Sequence, residues 1–166
     1  MCLRLIIPQI RWAEQDNDSK KTYIHIPNKC PICNHPTKIV KDNDSEVLYC
    51  TNENCKGKLL GKLTHAASKN ALNIDGFSES TIEKFINLGW LNSIQDIYHL
   101  SDHEKEMESL DGFGKKSVEK LLLSIEKSRS VDLDHFLNSL SIQLLGKSAS
   151  KMIAESVDYE FGIWMK

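Results

Sequence analysis

The sequence contains no uninterrupted apolar run approaching the roughly 20 residues that a membrane-spanning helix needs. Its apolar start, residues 3–7, is cut by Pro8. The longer apolar stretch and small-residue cleavage site of a secretory signal peptide are also missing. These absences exclude a transmembrane chain. We expect a protein of the reducing cytoplasm with no membrane partner, in which cysteines serve metal or redox chemistry before disulfides.

A large net charge is also lacking, since 21 Lys and Arg residues face 23 Asp and Glu residues and leave −2. This argues against a protein that coats nucleic acid by bulk attraction. The charge is unevenly distributed, because residues 28–65 and 109–130 each sum to +2 whereas residues 78–108 sum to −5. Any anionic partner is therefore expected at particular basic turns rather than over the whole surface.

The composition is that of a globular protein of about one domain's length. Of the 166 residues, 40% are hydrophobic and 27% are charged, which is enough apolar material for packed cores. Leucines and alanines recur on one face over residues 58–68 and predict a short amphipathic helix there. A capping-box pattern at Ser101 and Glu104 predicts a helix starting near Asp102. A later stripe of apolar residues is interpreted as core: Val118, Leu121, Leu122 and Ile125.

Four of the five cysteines form two close pairs separated by 16 residues: Cys30, Cys33, Cys50 and Cys55. Two short cysteine loops on facing turns joined by a hairpin would bring four thiolates together as tetrahedral ligands of Zn²⁺. The spacing predicts one structural zinc in a small β module resembling a zinc ribbon, although the second pair is spaced more widely than is usual. Because so small a segment buries little surface, zinc binding would supply its folding energy.

Alternatives to this zinc site are a pair of buried free thiols or a redox Cys-x-x-Cys motif. A redox pair normally stands at a helix start beside a strand, whereas Pro31 and the residues after Cys33 indicate a turn. His35 and His65 are rival ligands, but four thiolates already close a structural site. Cys2 lies far from both pairs and is interpreted as an uninvolved thiol.

A glycine-containing segment is repeated downstream. Residues 74–84 match residues 110–120 position by position at an offset of 36, and a weaker copy over residues 142–149 aligns Gly146 with Gly114. We name residues 74–78 turn 1, residues 110–114 turn 2 and residues 140–146 turn 3. Each lies between two predicted helices, so the repeated unit is helix, tight turn, helix.

Such turns suit phosphate binding. Glycine permits a positive φ and leaves no Cβ to hold an anion away, and the following helix directs its unpaired N–H groups and positive dipole end outward. Lys115, Lys116, Lys147 and Ser148 lie at those helix starts. The alternative is that the glycines only join antiparallel helices, as in many α proteins without a ligand. The repetition favours phosphate binding.

A four-cysteine module followed by these turns resembles the bacterial NAD-dependent DNA ligases. In that family a zinc finger with Cys-Pro-x-Cys and Cys-Thr-Asn-x-x-Cys motifs precedes a domain of four helix-hairpin-helix motifs. The matching positions here are residues 30–33 and 50–55 for the finger, 63–68 for its exit helix, and turns 1 to 3 for three hairpins. Residues 6–10 resemble a strand near the end of the family's OB-fold, so the resemblance covers residues 6–157.

The sequence also departs from the family. The adenylated lysine of those ligases lies in a Lys-x-Asp-Gly motif, which does not occur here, because Ser109 stands where the lysine would precede Asp111 and Gly112. The nucleotidyltransferase domain, most of the OB-fold, the fourth hairpin and the BRCT domain have no counterpart. The resemblance therefore implies a C-terminal fragment that is inactive alone, with NAD bound only by the full-length parent enzyme.

The expected fold is mainly α with a small β zinc-ribbon-like module and tandem helix-hairpin-helix motifs. We expect an OB-fold remnant at residues 1–27, a four-Cys zinc finger at 28–65, an incomplete helix-hairpin-helix domain at 66–157 and a tail at 158–166. The resemblance implies that this chain grips nicked double-stranded DNA, independently of sequence, for replication and repair in a nucleoid-associated cytoplasmic setting. The expected DNA contacts are Gly76, Ser78, Gly112, Gly114, Lys115, Lys116, Gly146, Lys147 and Ser148.

Two other functions remain open from the sequence. An enzyme would need a nucleophile, a paired base or an open metal site, and none emerges from the pattern of residues. A zinc-containing adaptor, or another DNA-binding protein outside the ligases, would share the same modules. Affinity for duplex DNA that falls with salt separates a DNA-binding chain from a protein-binding adaptor.

Overall fold

The computed structural model describes residues 26–42 and 45–157 of the chain. Over these ranges the protein is mainly α-helical with one two-stranded sheet, which confirms the predicted fold class. The strand expected at residues 6–10, most of the expected OB-fold remnant and the expected tail lie outside the described residues. Within the described ranges, no helix is long and apolar enough to cross a bilayer.

The finger is an antiparallel β-hairpin with one cysteine pair ahead of it and the other at its end. Strands β1 (Thr37–Asp42) and β2 (Ser45–Cys50) pair along their whole length, as suits a run of β-branched and aromatic residues. Ahead of β1, the backbone N–H of Cys30 donates to the carbonyl of His35 at 2.8 Å and closes a tight turn. The hairpin thereby carries Cys50 back to the first cysteine pair.

Helices make up most of the rest of the described chain. They are α1 (Lys56–Ala67), α2 (Glu79–Asn87), α3 (Glu104–Glu108), α4 (Lys115–Lys127), α5 (Leu133–Ser139) and α6 (Lys147–Ser156). The helix predicted at residues 58–68 is α1, and the boundary expected after residue 65 falls inside it. Turn 1 lies between α1 and α2, turn 2 between α3 and α4, and turn 3 between α5 and α6.

The helix predicted to start near Asp102 is wrong at its start. Residues Gln95–His103 form a 3₁₀ helix, and α3 begins only at Glu104. The predicted capping box does not form at the start of α3. The backbone N–H of Glu104 donates to the carbonyl of Ser101 in the 3₁₀ pattern, not to the side chain of Ser101. His103, the residue before α3, pairs its Nδ1 with the carboxylate of Glu106 instead.

One apolar core joins α1, α2, the 3₁₀ helix, α3 and α4. Its buried members include Leu63, Phe85, Leu100 and Met107, each without exposed surface. The predicted stripe on α4 belongs to this core: Val118, Leu121 and Ile125 are buried, and Leu122 packs partly buried against them. Burial of such side chains is the main force that holds the helices together.

Turns 1 and 2 are linked by reciprocal hydrogen bonds at the exposed edge of this core. Lys84 of α2 donates from Nζ to the carbonyl of Asp111 in turn 2 at 3.0 Å. In the other direction, the backbone N–H of Asp75 in turn 1 donates to Oγ of Ser124 on α4 at 2.7 Å. A cleft of about 490 Å³ lies between the two turns and is lined by both of their positive-φ glycines.

Turn 3 and its helices make polar contacts with the loop that follows α1. Nδ2 of Asn138 on α5 donates to the carbonyl of Asn70 at 2.8 Å, and Nδ1 of His135 lies 3.1 Å from the carbonyl of Ala71. The buried residues of α5 and α6 are themselves polar: Asn138, Ser139 and Ser150. This unit therefore has less apolar burial to stabilise it than the rest of the helical region.

Candidate metal centre and nucleic-acid interface

The four predicted cysteines converge at one point. Their sulfur atoms all lie within 4.8 Å of one another, with Cys33 and Cys50 at 3.4 Å and Cys30 and Cys55 at 3.9 Å. A tetrahedral ion with metal–sulfur bonds of about 2.3 Å would hold its sulfurs about 3.8 Å apart. The observed spacing therefore fits a single four-coordinate metal ion.

Backbone geometry on each side of the hairpin presents these sulfurs. Cys50 ends β2, and Cys55 immediately precedes α1, so sheet and helix both converge on the cluster. The wider spacing of this second pair is absorbed by a turn in which the backbone N–H of Asn54 donates to Oδ1 of Asn52 at 3.0 Å. The N–H of Asn52 itself points at the Cys50 sulfur at 3.4 Å.

The thiols of the cluster differ in acidity. The backbone N–H of His35 lowers the pKa of the Cys33 thiol to about 6, whereas burial raises the pKa of Cys50 to about 12. Neighbouring thiolates repel one another, so four of them need a cation at their centre. A set of four sulfurs that fills a tetrahedron leaves no position open for a reacting water.

The rival histidine ligands lie outside this cluster. Nδ1 of His35 is 3.1 Å from the carbonyl oxygen of Cys33, which raises the pKa of the imidazole. Nδ1 of His65 is 3.0 Å from the hydroxyl of Ser141 in turn 3. Among the described residues, the metal-competent group around the hairpin consists of the four cysteines alone. Cys2 lies outside the described residues.

The turn glycines fall into two conformational classes. Gly76 and Gly112 have φ of +82° and +85°, a region that strains residues with a Cβ. Gly114 and Gly146 have φ of −98° and −86° with extended ψ, so the positive φ that glycine permits in such turns is not used at these two positions. The reason is that each of these two is the residue before a helix, which takes an extended conformation.

Gly114 and Gly146 instead leave the helix starts uncovered. Neither α4 nor α6 receives a side-chain hydrogen bond at its first turn, and a Cβ built on either glycine would meet no atom within 4 Å. In α2, by contrast, Oγ of Ser78 accepts from the backbone N–H of Thr81 at 3.2 Å. Of the three helices that follow the turns, α4 and α6 therefore begin with uncapped amides, as α1, α3 and α5 also do.

Exposed lysines lie at both of these helix starts. Lys115 and Lys116 are exposed on the first turn of α4, and Lys147 and Ser148 are exposed on the first turn of α6. Nζ of Lys147 also donates to Oδ1 of Asn70 at 3.0 Å. An N-terminal dipole end flanked by ammonium groups is electrostatically suited to an oxyanion.

Two features of this surface were not identified from the sequence. Lys84 and Lys120 line the cleft between turns 1 and 2, and they occupy matching positions of the repeat, which was the available signal. Leu144 in turn 3 has a positive φ of 66° although it is not a glycine. The sequence offered no sign of that conformation, because glycine, asparagine and aspartate are the residues that usually adopt it.

Known proteins resemble this chain along nearly all of its length, although no protein-family model matches it. A protein named DNA ligase from Lachnoclostridium phytofermentans is 40% identical over 157 residues, which are 95% of this chain and 23% of that protein. The DNA ligase of Fusobacterium nucleatum is 39% identical over 152 residues, covering 91% and 22%. That of Ruminiclostridium cellulolyticum is 35% identical over 157 residues, covering 95% and 23%.

The chain thus spans less than a quarter of the length of these curated relatives, while nearly all of its own length is matched. The similarity includes both the cysteine module and the three turns, because so few residues of the chain lie outside it. This chain is therefore homologous along almost its whole length to one segment of proteins named DNA ligase, which confirms the resemblance indicated by its motifs.

Proposed function

We propose that this chain is the DNA-gripping portion of an NAD-dependent DNA ligase and that it holds nicked duplex DNA through backbone phosphates. It performs no sealing chemistry itself. In this proposal the finger occupies residues 28–65, three helix-hairpin-helix motifs occupy residues 66–157, and residues 1–27 are a remnant of the OB-fold. The parent enzyme binds NAD elsewhere and works in replication and repair in the cytoplasm, at the nucleoid.

The observation that carries the proposal is the pair of uncapped, lysine-flanked helix starts at Gly114 and Gly146. In α2, by contrast, the hydroxyl of Ser78 caps one amide and the first turn carries the acidic Glu79. An open end without a Cβ lets a phosphate approach the amides directly. Contacts of this kind position a duplex but carry no base information, so binding is independent of sequence.

The proposed phosphate contacts follow from this arrangement. Turns 1 and 2 face the DNA together across their shared cleft, and turn 3 adds a contact on its own. The residues assigned to the interface are Gly76, Ser78, Gly112, Gly114, Lys115, Lys116, Gly146, Lys147 and Ser148. Ser78 is the weakest of these, because its hydroxyl already accepts from the backbone of α2.

The metal in the finger is proposed to be structural Zn²⁺. The donor set of four sulfurs is the one that zinc prefers in closed sites, and the sulfur spacing fits its tetrahedral geometry. Bound zinc would supply charge to hold the four thiolates together and so fix the hairpin against the start of α1. Its role is mechanical rather than catalytic.

Duplex binding at several salt concentrations tests the proposal. Binding should weaken with salt and be similar on unrelated sequences, and replacing Lys115 and Lys116 by Ala should reduce the salt slope by about one for each phosphate that is no longer neutralised. Replacing Lys105 and Lys127 by Ala is the matched control. Lys127 ends the same helix, about 18 Å away along its axis.

The two lysine pairs distinguish the competing functions. An equal loss from both pairs would show that only overall charge matters and would remove α4 from the interface. Absence of any salt-dependent affinity for duplex DNA in the zinc-loaded chain would overturn the proposal in favour of a protein-binding adaptor.

A further inference from the structure

Turn 3 differs from turns 1 and 2 at its tip. The three turns share a positive φ two residues before the extended residue that precedes the second helix, with values of +82° at Gly76, +85° at Gly112 and +66° at Leu144. Turns 1 and 2 carry a glycine at this position, whereas turn 3 presents a leucine side chain that is 93% exposed. The same backbone shape therefore offers two different surfaces.

An exposed leucine in this conformation is doubly unfavourable for the isolated protein. Residues with a Cβ are strained at positive φ, and an apolar side chain in water gains nothing from burial. Ile142, two residues earlier, is also 51% exposed. Leu144 is not part of the buried core of the described residues, so its side chain is available for a contact beyond that core.

The start of α6 beside Leu144 suits a phosphate backbone, although Met152 and Ile153 farther along α6 are also exposed. Gly146 and the open amide end of α6 follow two residues later, and Lys147 and Ser148 are exposed beside them. An oxyanion held at that helix start would place its neighbouring sugars and bases next to the leucine. Charge complementarity to a phosphate backbone thus extends up to the apolar tip.

We propose that the Leu144 side chain is a wedge that enters the groove of the bound duplex and partly unstacks one base step. This inference rests on the proposed DNA-gripping function and names what turn 3 adds to it. DNA-binding proteins insert leucine and similar apolar side chains between base steps in this way, at the cost of stacking energy. A nick lowers that cost because one strand is already interrupted, so the wedge favours nicked over intact duplex.

Turns 1 and 2 then have a complementary task. Their glycines let the backbone approach phosphates closely without disturbing the bases. Turn 3 opens a step while Lys147 and the α6 amides hold the adjoining phosphate. These different roles explain why turn 3 keeps the positive φ of turns 1 and 2 but has Leu144 in place of their glycine.

The test uses nicked duplexes that carry 2-aminopurine at successive positions around the nick, because unstacking raises its fluorescence. Zinc-loaded wild-type chain and Leu144→Met should raise the fluorescence at one position. Leu144→Gly should lose the signal and bind nicked duplex about tenfold more weakly. Its salt slope should stay unchanged, because no phosphate-binding cation is removed.

The Leu144 variants are chosen so that a loss of binding cannot be caused by a loss of stability. Leu144→Gly relieves the strain of the positive φ, so it should be at least as stable as wild type. Leu144→Asn also tolerates this conformation but is polar, and it should lose the signal as well. Leu123→Ala, which removes an exposed leucine from α4, is the control and should behave as wild type.

The outcomes separate the two proposals. If the wild-type chain binds duplex but no position gains fluorescence, or if Leu144→Gly retains the full signal, the wedge is wrong while the DNA-gripping function stands. The first of these results would assign the leucine to a protein contact instead. If the wild-type chain binds no duplex at all, both proposals fail together.

Discussion

At the scale of single residues, the four cysteines show how a weakly structured segment is fixed. The backbone N–H of His35 lowers the pKa of the Cys33 thiol, whereas burial raises the pKa of Cys50. A bound dication would stabilise all four residues as thiolates at once. With zinc bound as proposed, the finger would depend on the metal more than on its own small apolar content.

The first prediction concerns the metal content. The purified chain should contain one zinc, and Cys50→Ser should release it and unfold the finger, because about 10 to 16 kcal/mol of binding energy is coupled to folding. Cys2→Ser is the control and should retain the zinc. Metal analysis with circular dichroism reports both effects. Wild-type chain prepared without chelators and found free of zinc would contradict the proposed site.

The second prediction exploits the two classes of turn glycine. Gly112→Ala should destabilise the protein by about 1 to 2 kcal/mol, because φ at this position is +85°. Gly114→Ala should fold with little loss, because its φ of −98° suits any residue and its Cβ would meet no atom within 4 Å. Denaturant titration measures the difference in the free energy of unfolding.

The same pair of variants discriminates packing from phosphate binding. Gly114→Ala should weaken duplex binding despite its normal stability, because the added Cβ lies where the phosphate must approach the α4 amides. Gly114→Val should be weaker still in binding. Unchanged affinity in both variants would mean that this glycine serves only the join between helices.

At the scale of elements, the repeated turns were predictable because their chemistry is local. A few consecutive residues are enough to recognise the turn glycines, the lysines that follow them and the apolar stripe on α4. The spacing of the metal ligands can be recognised in the same local way. The 3₁₀ helix at Gln95–His103 was missed because it depends on tertiary packing. Its own Ile97 and Leu100 are both fully buried among the other helices. The strained Leu144 was missed because no sequence rule assigns a positive φ to leucine.

Comparison of equivalent positions explains the weaker packing of turn 3. Ile82 in α2 and Val118 in α4 are fully buried, and the repeat places Ser150 of α6 at the same position. Ser150 is also fully buried, and its Oγ has no hydrogen-bond partner among the described residues. A buried hydroxyl without a partner costs about 1 to 3 kcal/mol.

The third prediction follows from that hydroxyl. Ser150→Ala should raise the free energy of unfolding by roughly 1 kcal/mol and slow amide hydrogen exchange in α5 and α6. Ser156→Ala is the control, since Oγ of Ser156 donates to the carbonyl of Ile153 at 2.8 Å on an exposed surface. No gain in Ser150→Ala, or an equal gain in the control, would refute the unpaired hydroxyl as the source of instability.

At the scale of the whole molecule, α1 mechanically joins the finger to the helical core. It starts directly after Cys55 and ends by burying Leu63 and Ala66 among the other helices. Nζ of Lys56 adds a bond to Oδ1 of Asn87 at the end of α2, at 3.3 Å. Loss of the metal should therefore loosen the first turn of α1 while its core-facing half stays packed.

The last prediction addresses whether this chain itself can be adenylated. Sealing a nick with NAD requires a lysine that accepts AMP, and the resemblance places that lysine in a Lys-x-Asp-Gly motif. The two Asp-Gly pairs of this chain are preceded at the lysine position by Asn73 and Ser109, and Oγ of Ser109 is engaged with the carbonyl of Glu106 at 2.7 Å. We therefore expect duplex binding without adenylation. Incubation with NAD labelled in its adenylate should leave the chain unlabelled. A full-length ligase treated in parallel is the control and should become labelled. A stable label on any lysine of this chain would show that the chain carries out the adenylation step itself.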